Sequence, residues 1–294
     1  AAMVGVVGAT EVTMGLIALP AMLKRNYNKY IALGCICAGG ALGYLIPPSI
    51  LAVIYGITAG QSVGKLLIGG VMPGLLLAGL YIVYITTRVY LQPELAPALT
   101  REERMIPLKQ RFLKLRVLIL PIIVIFAVLG SIYLGIASIT ESAGAGAMGA
   151  IICAAVNRRL NWQNFKDTAF STIKVTAMVI WLCIGSSVFI SVYTAAGGTE
   201  FAKGIMAALP LGKWGILIMM QIILIVMGFF IDWVGILMLT TPIFVPVIVS
   251  LGFDPIWYGV LFNINMQISL LSPPFGMALF YLRGVVPEGI TMTD

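Results

Sequence analysis

Two stretches decide the fold of this chain: GGALGYLIPPSI at Gly39–Ile50 and QISLLSPPFGMA at Gln267–Ala278. Each carries a double proline inside an apolar segment, and the two double prolines lie 226 positions apart. The same shift aligns three further residues with counterparts of the same or similar type: Pro20 with Pro246, Tyr27 with Phe253, and Asn28 with Asp254. The chain therefore contains an internal repeat, in which an apolar arm and a short turn precede an apolar segment broken by Pro-Pro.

Composition places both copies in a membrane. The 294 residues are 60% hydrophobic and 10% charged, and their mean hydropathy is +1.05, which a soluble domain of this size would not tolerate. Runs such as Leu75–Tyr90, Val117–Ser138 and Gly215–Ile231 have the length and composition of spanning or near-spanning helices. We therefore predict an all-α integral membrane protein.

The net charge of +7 is concentrated in three connections between apolar segments. Their basic residues are Lys24, Arg25 and Lys29; Arg88, Arg101, Arg104, Lys109, Arg111, Lys114 and Arg116; and Arg158, Arg159 and Lys166. Basic connections stay on the cytoplasmic side of a membrane, so we assign all three to that side. The excess of basic residues therefore indicates which side of the membrane these connections face. It does not indicate nucleic-acid binding, because aromatic residues are not interleaved with the basic clusters.

The chain divides into a first repeat at 1–57, a connecting part at 58–137 and a second repeat at 138–294. Residues 1–22 are predicted to form a re-entrant hairpin whose tip, Val4–Thr10, is too glycine-rich for a helix. The first copy of the repeat begins within an element, so we expect further sequence to precede it.

The other predicted elements are a broken helix at 30–57 interrupted at Gly43–Pro48, a helix at 65–90, an amphipathic surface stretch at Gln92–Arg116, helices at 117–137, Thr140–Val156, 168–193 and 199–210, a second re-entrant hairpin at Lys213–Ser250 with its tip near Gly228–Gly235, and a second broken helix at 256–283 interrupted at Ser269–Gly276. The turn that follows the second hairpin, LGFDP, has no basic residue. That hairpin therefore opens outward, and the two copies form an inverted repeat.

The two broken helices point to a binding site. Irregular backbone at membrane depth is tolerated only where it is buried in protein or lines a cavity. Each double proline frees carbonyl groups of the preceding half-helix, which suit a hard cation such as sodium, while the following half-helix presents an N-terminus that attracts an anion. Ser49, Ser269 and Ser272 add hydroxyl oxygens beside the breaks. Matched breaks of this kind are typical of secondary transporters.

Three carboxylates lie at or near membrane depth. A charged group there costs free energy and usually has a function. Glu11 follows the first predicted hairpin tip, and Asp232 lies in the second. Glu141, preceded by Thr140, is equally well explained as a functional group or as part of a helix cap. The GAGAMG segment at Gly144–Gly149 matches a dinucleotide fingerprint, but no strand precedes it, so we interpret it as a close helix-packing surface.

The sequence contains few residues or motifs that could support catalysis. The chain has no histidine and no H-E-x-x-H or G-x-S-x-G sequence, so we predict that it is not an enzyme. An intramembrane enzyme is the weakest alternative. An ion or solute channel stays open as the other alternative, because channels also contain re-entrant hairpins.

Six segments together resemble the large membrane subunit of tripartite ATP-independent periplasmic (TRAP) transporters. They are VGATEVTMGLIALPAM, GALGYLIPPSI, SVGKLLIGGVMPGLLL, ITESAGAGAMGA, GFFIDWVGI and GFDPIWYGVLFNINMQISLLSPPFG. The likeness covers nearly the whole chain. It implies an elevator-type transporter of the bacterial inner membrane, coupled to sodium. It also implies two partners, a small four-helix membrane subunit and a periplasmic substrate-binding protein, and a carboxylate substrate such as a C4-dicarboxylate.

The resemblance also assigns site residues. Sodium site 1 would comprise Val7, Thr10, Gly43, Ile46 and Pro48; sodium site 2 would comprise Asp232, Ser269, Ser272 and Pro274; and substrate contacts are expected from Glu11, Ser49 and Gly276. Where many relatives carry a serine-rich tip, this chain has Val4–Val7, so we assign backbone carbonyls and Thr10 to the first site. No cofactor is expected besides Na⁺ as the coupling ion.

Overall fold

A computed structural model describes residues 7–97, 108–198, 200–201, 204–205 and 210–286, and the secondary structure of this part is helical throughout. Its α-helices, numbered here in chain order, are α1 (Val7–Leu23), α2 (Lys29–Ala41), α3 (Ile50–Thr58), α4 (Val63–Leu91), α5 (Leu108–Tyr133), α6 (Ile139–Val156), α7 (Trp162–Ala195), α8 (Gly212–Gly228), α9 (Trp233–Ser250), α10 (Pro255–Leu271) and α11 (Met277–Arg283). Four of them, α4, α6, α7 and α9, are long and apolar enough to cross a membrane.

The two copies of the repeat each begin a helix at a matching position. Helices α2 and α10 start 226 residues apart. The side chain of Asn28 accepts a hydrogen bond from the Tyr30 amide at 2.9 Å, and its counterpart Asp254 accepts one from the Ile256 amide at 2.6 Å. A short polar side chain at this position satisfies an amide that the first helical turn leaves unpaired. The repeat inferred from the sequence is therefore present in the backbone.

Both predicted interruptions are found. After α2 the chain forms a 3-10 turn at Leu42–Tyr44 and stays irregular up to the start of α3. The second interruption separates α10 from α11, and both Pro-Pro peptide bonds are cis. The prediction placed Ser269 inside the second interruption, but α10 continues to Leu271, so Ser269 lies on the last helical turns.

The predicted non-helical tip at Val4–Thr10 is wrong for its described part. Helix α1 already begins at Val7, while Val4–Val6 lie outside the described residues. The glycine that argued against a helix, Gly8, packs under the Tyr281 ring, where a Cβ would lie 2.9 Å from a ring carbon. The glycine is required by this close approach and not by a turn. At the second predicted tip, four residues connect α8 to α9, so the chain does turn within the predicted segment.

Two other boundaries differ from the prediction, and one predicted helix is largely untested. Helix α5 begins at Leu108 and not at residue 117, so the end of the predicted amphipathic stretch continues into a long helix. Helix α7 begins six residues early because the side chain of Asn161 accepts a hydrogen bond from the Asn164 amide at 2.7 Å. The predicted outer helix at 199–210 lies largely outside the described residues.

Helix α10 lies at the centre of the molecule and packs against α2, α3, α4, α8, α9 and α11. Helices α5 and α6 form a separate pair at the side. There Gly149 approaches Val124, and Ser131 and Ser142 share a hydrogen bond of 2.9 Å. The GAGAMG segment thus packs one helix closely on another, as predicted.

Candidate functional site

The start of α9 meets Tyr44, in the 3-10 turn of the first interruption. The Tyr44 ring lies 4.9 Å from the Trp233 ring, centroid to centroid, at an angle of 53°. Since Trp233 is the first residue of α9, this tyrosine joins the start of α9 to the first break.

The second broken helix makes the reciprocal contact. Gly8 of α1 packs on the ring of Tyr281 in α11, and both Tyr281 and Tyr44 interact electrostatically with Asp232. Each returning arm therefore begins against the broken helix of the other repeat. A helix N-terminus carries partial positive charge and unpaired amides, so the start of α9 favours an anionic group.

A small cavity adjoins this meeting point. It has a volume of about 10 Å³, room for a single water-sized sphere, and its lining includes Gly228, Asp232, Ser269 and Phe275. Asp232 caps α9 through one oxygen, which accepts a hydrogen bond from the Val234 amide at 3.3 Å. Its Oδ1 and the hydroxyl of Ser269 have no hydrogen-bond partner among the described residues. Carboxylate and hydroxyl oxygens are the ligands that hard cations prefer.

Two of the four predicted residues of sodium site 2 line this cavity, and two do not. Ser272 and Pro274 are absent from the lining. The Ser272 carbonyl instead accepts a hydrogen bond from the Gly276 amide at 3.0 Å, and Pro274 is exposed. Gly228, which the prediction did not name, is the close neighbour of Ser269, because a Cβ there would overlap the Ser269 side chain.

The residues of sodium site 1 are spread over a larger region. Val7 and Thr10 are buried on the first turns of α1, and Gly43 is buried in the 3-10 turn that α1 contacts. Ile46 packs on Gly74 of α4. The ring of Pro48 faces an apolar groove in front of α5 and α6. The structure thus brings Val7, Thr10 and Gly43 into one region, while the side chains of Ile46 and Pro48 face other helices.

The three predicted substrate contacts have different surroundings. Ser49 caps α3 by accepting a hydrogen bond from the Ala52 amide at 3.2 Å, and its hydroxyl donates to the Tyr44 carbonyl. Gly276 has a left-handed backbone with φ of +35°, which favours glycine. Both positions therefore have a local structural role.

Glu11 is fully buried on α1, with 0% of its surface exposed. Its carboxylate lies against Gly40 of α2, where a Cβ would overlap it. Within the part of the chain that the structure describes, neither oxygen accepts a hydrogen bond from an N–H or O–H group, and the Cys37 thiol is the weak donor beside it.

Glu141 has a structural role. The Ser138 side chain accepts a hydrogen bond from the Glu141 amide, while the Ser138 amide donates to Glu141 Oε2 at 2.7 Å. This pair is a capping box at the start of α6. The capping residue is therefore Ser138 and not Thr140.

Two groups of residues were missed from the sequence. The first is the aromatic group Tyr44, Trp233 and Tyr281. The sequence feature that could have indicated it is an aromatic residue close to each break or hairpin tip. The second is a set of buried polar side chains on α10, namely Asn263, Asn265 and Gln267. Their signal was three amides within an otherwise apolar helix. Asn265 also donates to the side chain of Gln221 in α8 at 2.8 Å, which ties the second hairpin to the central helix.

Comparison with known proteins agrees with this architecture. Residues 1–293 match the family described as Tripartite ATP-independent periplasmic transporter, DctM component. The chain is 32% identical to the C4-dicarboxylate TRAP transporter large permease protein DctM of Pseudomonas aeruginosa, over 99% of the chain and 68% of that protein. The corresponding protein of Rhodobacter capsulatus is 34% identical with the same coverage, 99% and 68%. The isethionate TRAP transporter permease protein DctMQ of Oleidesulfovibrio alaskensis is 32% identical over 94% of the chain.

The chain thus spans about two thirds of the two C4-dicarboxylate permeases and 43% of the isethionate permease. These relatives are named as transporter permeases and not as enzymes, and the long apolar helices agree with a multi-pass protein of the inner membrane. Sequence match and helical architecture together show that the chain belongs to the DctM family, the large membrane components of tripartite ATP-independent periplasmic transporters.

Proposed function

We propose that this chain carries out sodium-coupled secondary uptake of a small organic acid that a periplasmic binding protein delivers. The observation that carries the proposal is the cavity between Asp232 and Ser269, which offers two oxygens without partners among the described residues. It adjoins the start of α9. A cation beside a carboxylate, next to a helix N-terminus that favours an anion, is the arrangement that a sodium–carboxylate symporter requires.

The substrate class rests on two further considerations. The relatives described above are named for C4-dicarboxylates and for isethionate, and the N-terminus of α9 favours a negatively charged group. A cation at the neighbouring cavity adds to this attraction, so binding of the ion favours binding of the acid. We propose the small four-helix membrane subunit and the periplasmic binding protein as partners on the basis of family membership.

Coupling to sodium supplies the driving force without ATP. Each monovalent cation moving down 100 mV contributes about 2.3 kcal/mol. Two ions contribute about 4.6 kcal/mol, which corresponds to roughly three decades of substrate accumulation. One ion at each break is the stoichiometry that we propose.

For the transport step we propose that the two hairpins and the two broken helices move together, as in an elevator, with both hairpins re-entrant and in opposite orientation. The helix pair α5–α6 would be the fixed neighbour. The surface between Pro48 and this pair is lined by apolar side chains, including Pro121, Val124 and Val128. An apolar surface without hydrogen bonds allows sliding at low cost, whereas interlocked polar groups would resist it.

Reconstitution of the complete transporter tests this function. Proteoliposomes containing the permease and its small membrane subunit, supplied with binding protein and radiolabelled organic acid, should accumulate the acid only under an inward sodium gradient. Uptake that is unchanged when potassium replaces sodium would contradict sodium coupling. A channel is distinguished in the same assay, because its flux would neither saturate nor depend on the binding protein.

A further inference from the structure

An apolar groove opens between α6 and α7, next to the turn that joins them. It forms because α6 packs against α5 while α7 packs against α9, so the two helices diverge from their connection. The groove has a volume of about 380 Å³, within the range of about 300–1,000 Å³ typical of ligand sites. Its α6 side is lined by the small residues Ala147, Ala150 and Ala154, and its α7 side includes Phe165.

One end of the groove is cationic. Arg159 lines it together with Asn164 and Thr168. Asn164 holds the turn in place by donating a hydrogen bond to the Arg159 carbonyl at 2.8 Å. The neighbouring Arg158 is exposed as well. The end of the groove therefore presents two guanidinium groups to the surroundings.

Other charges near this end are also mainly positive. Lys166 lies one turn into α7, where its ammonium group is 5.8 Å from the centre of the Phe170 ring. Asp167 is the nearby carboxylate in sequence, and it accepts a hydrogen bond from Gln163 at 2.9 Å. The excess of positive charge favours an anionic ligand.

Aromatic side chains mark the same end as a membrane interface. Trp162 is 77% exposed, and its ring stacks on Phe165 at 5.9 Å between centroids. A second apolar hollow of about 350 Å³ continues the groove around these rings. Exposed tryptophan beside basic residues is typical of the headgroup level on the cytoplasmic side.

We propose that the α6–α7 groove binds an anionic phospholipid of the cytoplasmic leaflet. Its phosphate contacts Arg159 and Arg158, and one acyl chain lies along the alanine face of α6. Basic pockets between membrane helices on the cytoplasmic side recognise anionic headgroups, and a long apolar groove that ends in arginines matches the two parts of such a lipid. This site is separate from the cavity at Asp232, so it does not depend on the proposed transport function.

Native mass spectrometry of the detergent-purified permease with its small subunit tests the proposal. The probes are phosphatidylglycerol and, as the neutral reference, phosphatidylcholine, each titrated after delipidation. Removing one arginine (Arg159→Gln) should weaken phosphatidylglycerol binding about fivefold, and the double variant with Arg158→Asn about thirtyfold, since each basic residue near a surface adds about one factor of five. Asparagine suits position 158 because its backbone φ is +54°.

Two further variants complete the test. Lys65→Gln removes an exposed basic residue elsewhere and should leave lipid binding unchanged. Ala154→Phe fills the groove without altering charge and should reduce binding of both lipids. Equal affinity of the double arginine variant and the unchanged protein for phosphatidylglycerol would overturn the proposal. Crosslinks from Ala154→Cys to the small subunit would overturn it too, because they would show that a protein helix occupies the groove.

Discussion

Replacing Asp232 by asparagine separates its two roles. The carboxylate caps α9 through the Val234 amide, and it also lines the cavity with Ser269. Asparagine caps helices about as well as aspartate, so the stability of α9 should change by only a few tenths of a kcal/mol. What Asp232→Asn removes is the negative charge beside the proposed cation.

The size of the effect follows from Coulomb's law. A carboxylate about 4 Å from a monovalent cation, at an effective dielectric constant of about 20, contributes about 4 kcal/mol. The amide oxygen of asparagine still ligates the cation and recovers part of this loss. We therefore expect the sodium concentration for half-maximal uptake to rise at least tenfold, with about a thousandfold as the upper limit.

The assay is sodium-dependent uptake into proteoliposomes, with the sodium concentration varied at fixed membrane potential. Asp254→Asn is the matched control, because Asp254 caps α10 in the same manner but faces the exposed turn between the hairpin and the broken helix. The control should leave the sodium dependence unchanged. A half-saturating sodium concentration that stays within twofold of the unchanged protein in Asp232→Asn would refute the assignment of this cavity to the cation.

Three further substitutions test the local structure. Gly276→Ala places a Cβ 2.9 Å from Leu279 on a left-handed backbone, so thermal unfolding in detergent should show a loss of about 1–3 kcal/mol; an unchanged melting temperature would contradict this backbone geometry. Ser138→Ala removes the capping box of α6 and should cost about 1 kcal/mol in the same measurement, whereas Ser138→Thr should restore it. Tyr44→Leu keeps a large apolar side chain but removes the ring that packs on Trp233, so KM for the transported acid should rise about two- to tenfold; an unchanged KM would show that this ring contact does not position the site.

Features with a local cause could be predicted from the sequence. The double prolines remove amide donors wherever they occur, so the interruptions between α2 and α3 and between α10 and α11 followed directly. The caps at Asn28 and Asp254 likewise depend on one side chain and the next few amides. For the same reason the internal shift of 226 residues aligned the starts of α2 and α10.

Features that arise from distant contacts could not be predicted. Residue 8 is a glycine because the ring of Tyr281, far along the chain, lies where a Cβ would be, whereas the local sequence suggested that the same glycine forms a turn. The sequence placed Ser269 in the interruption, whereas α10 continues past it to Leu271. The meeting of Tyr44 with Trp233 joins the two repeats. Proximity between residues so far apart in sequence follows from packing and not from local preference.

The returning arm of each repeat packs against the broken helix of the other repeat. A displacement in one repeat therefore moves residues in the other. Displacing the start of α9 disturbs Tyr44 in the first break, and displacing the start of α1 disturbs Tyr281 in the second. Thermodynamic linkage makes such coupling reciprocal. If an ion bound at one break changes the affinity of the other break by some factor, an ion bound at the second break changes the affinity of the first by the same factor. With one ion at each break, as proposed above, a substitution that changes the affinity at one break should therefore change the affinity at the other as well.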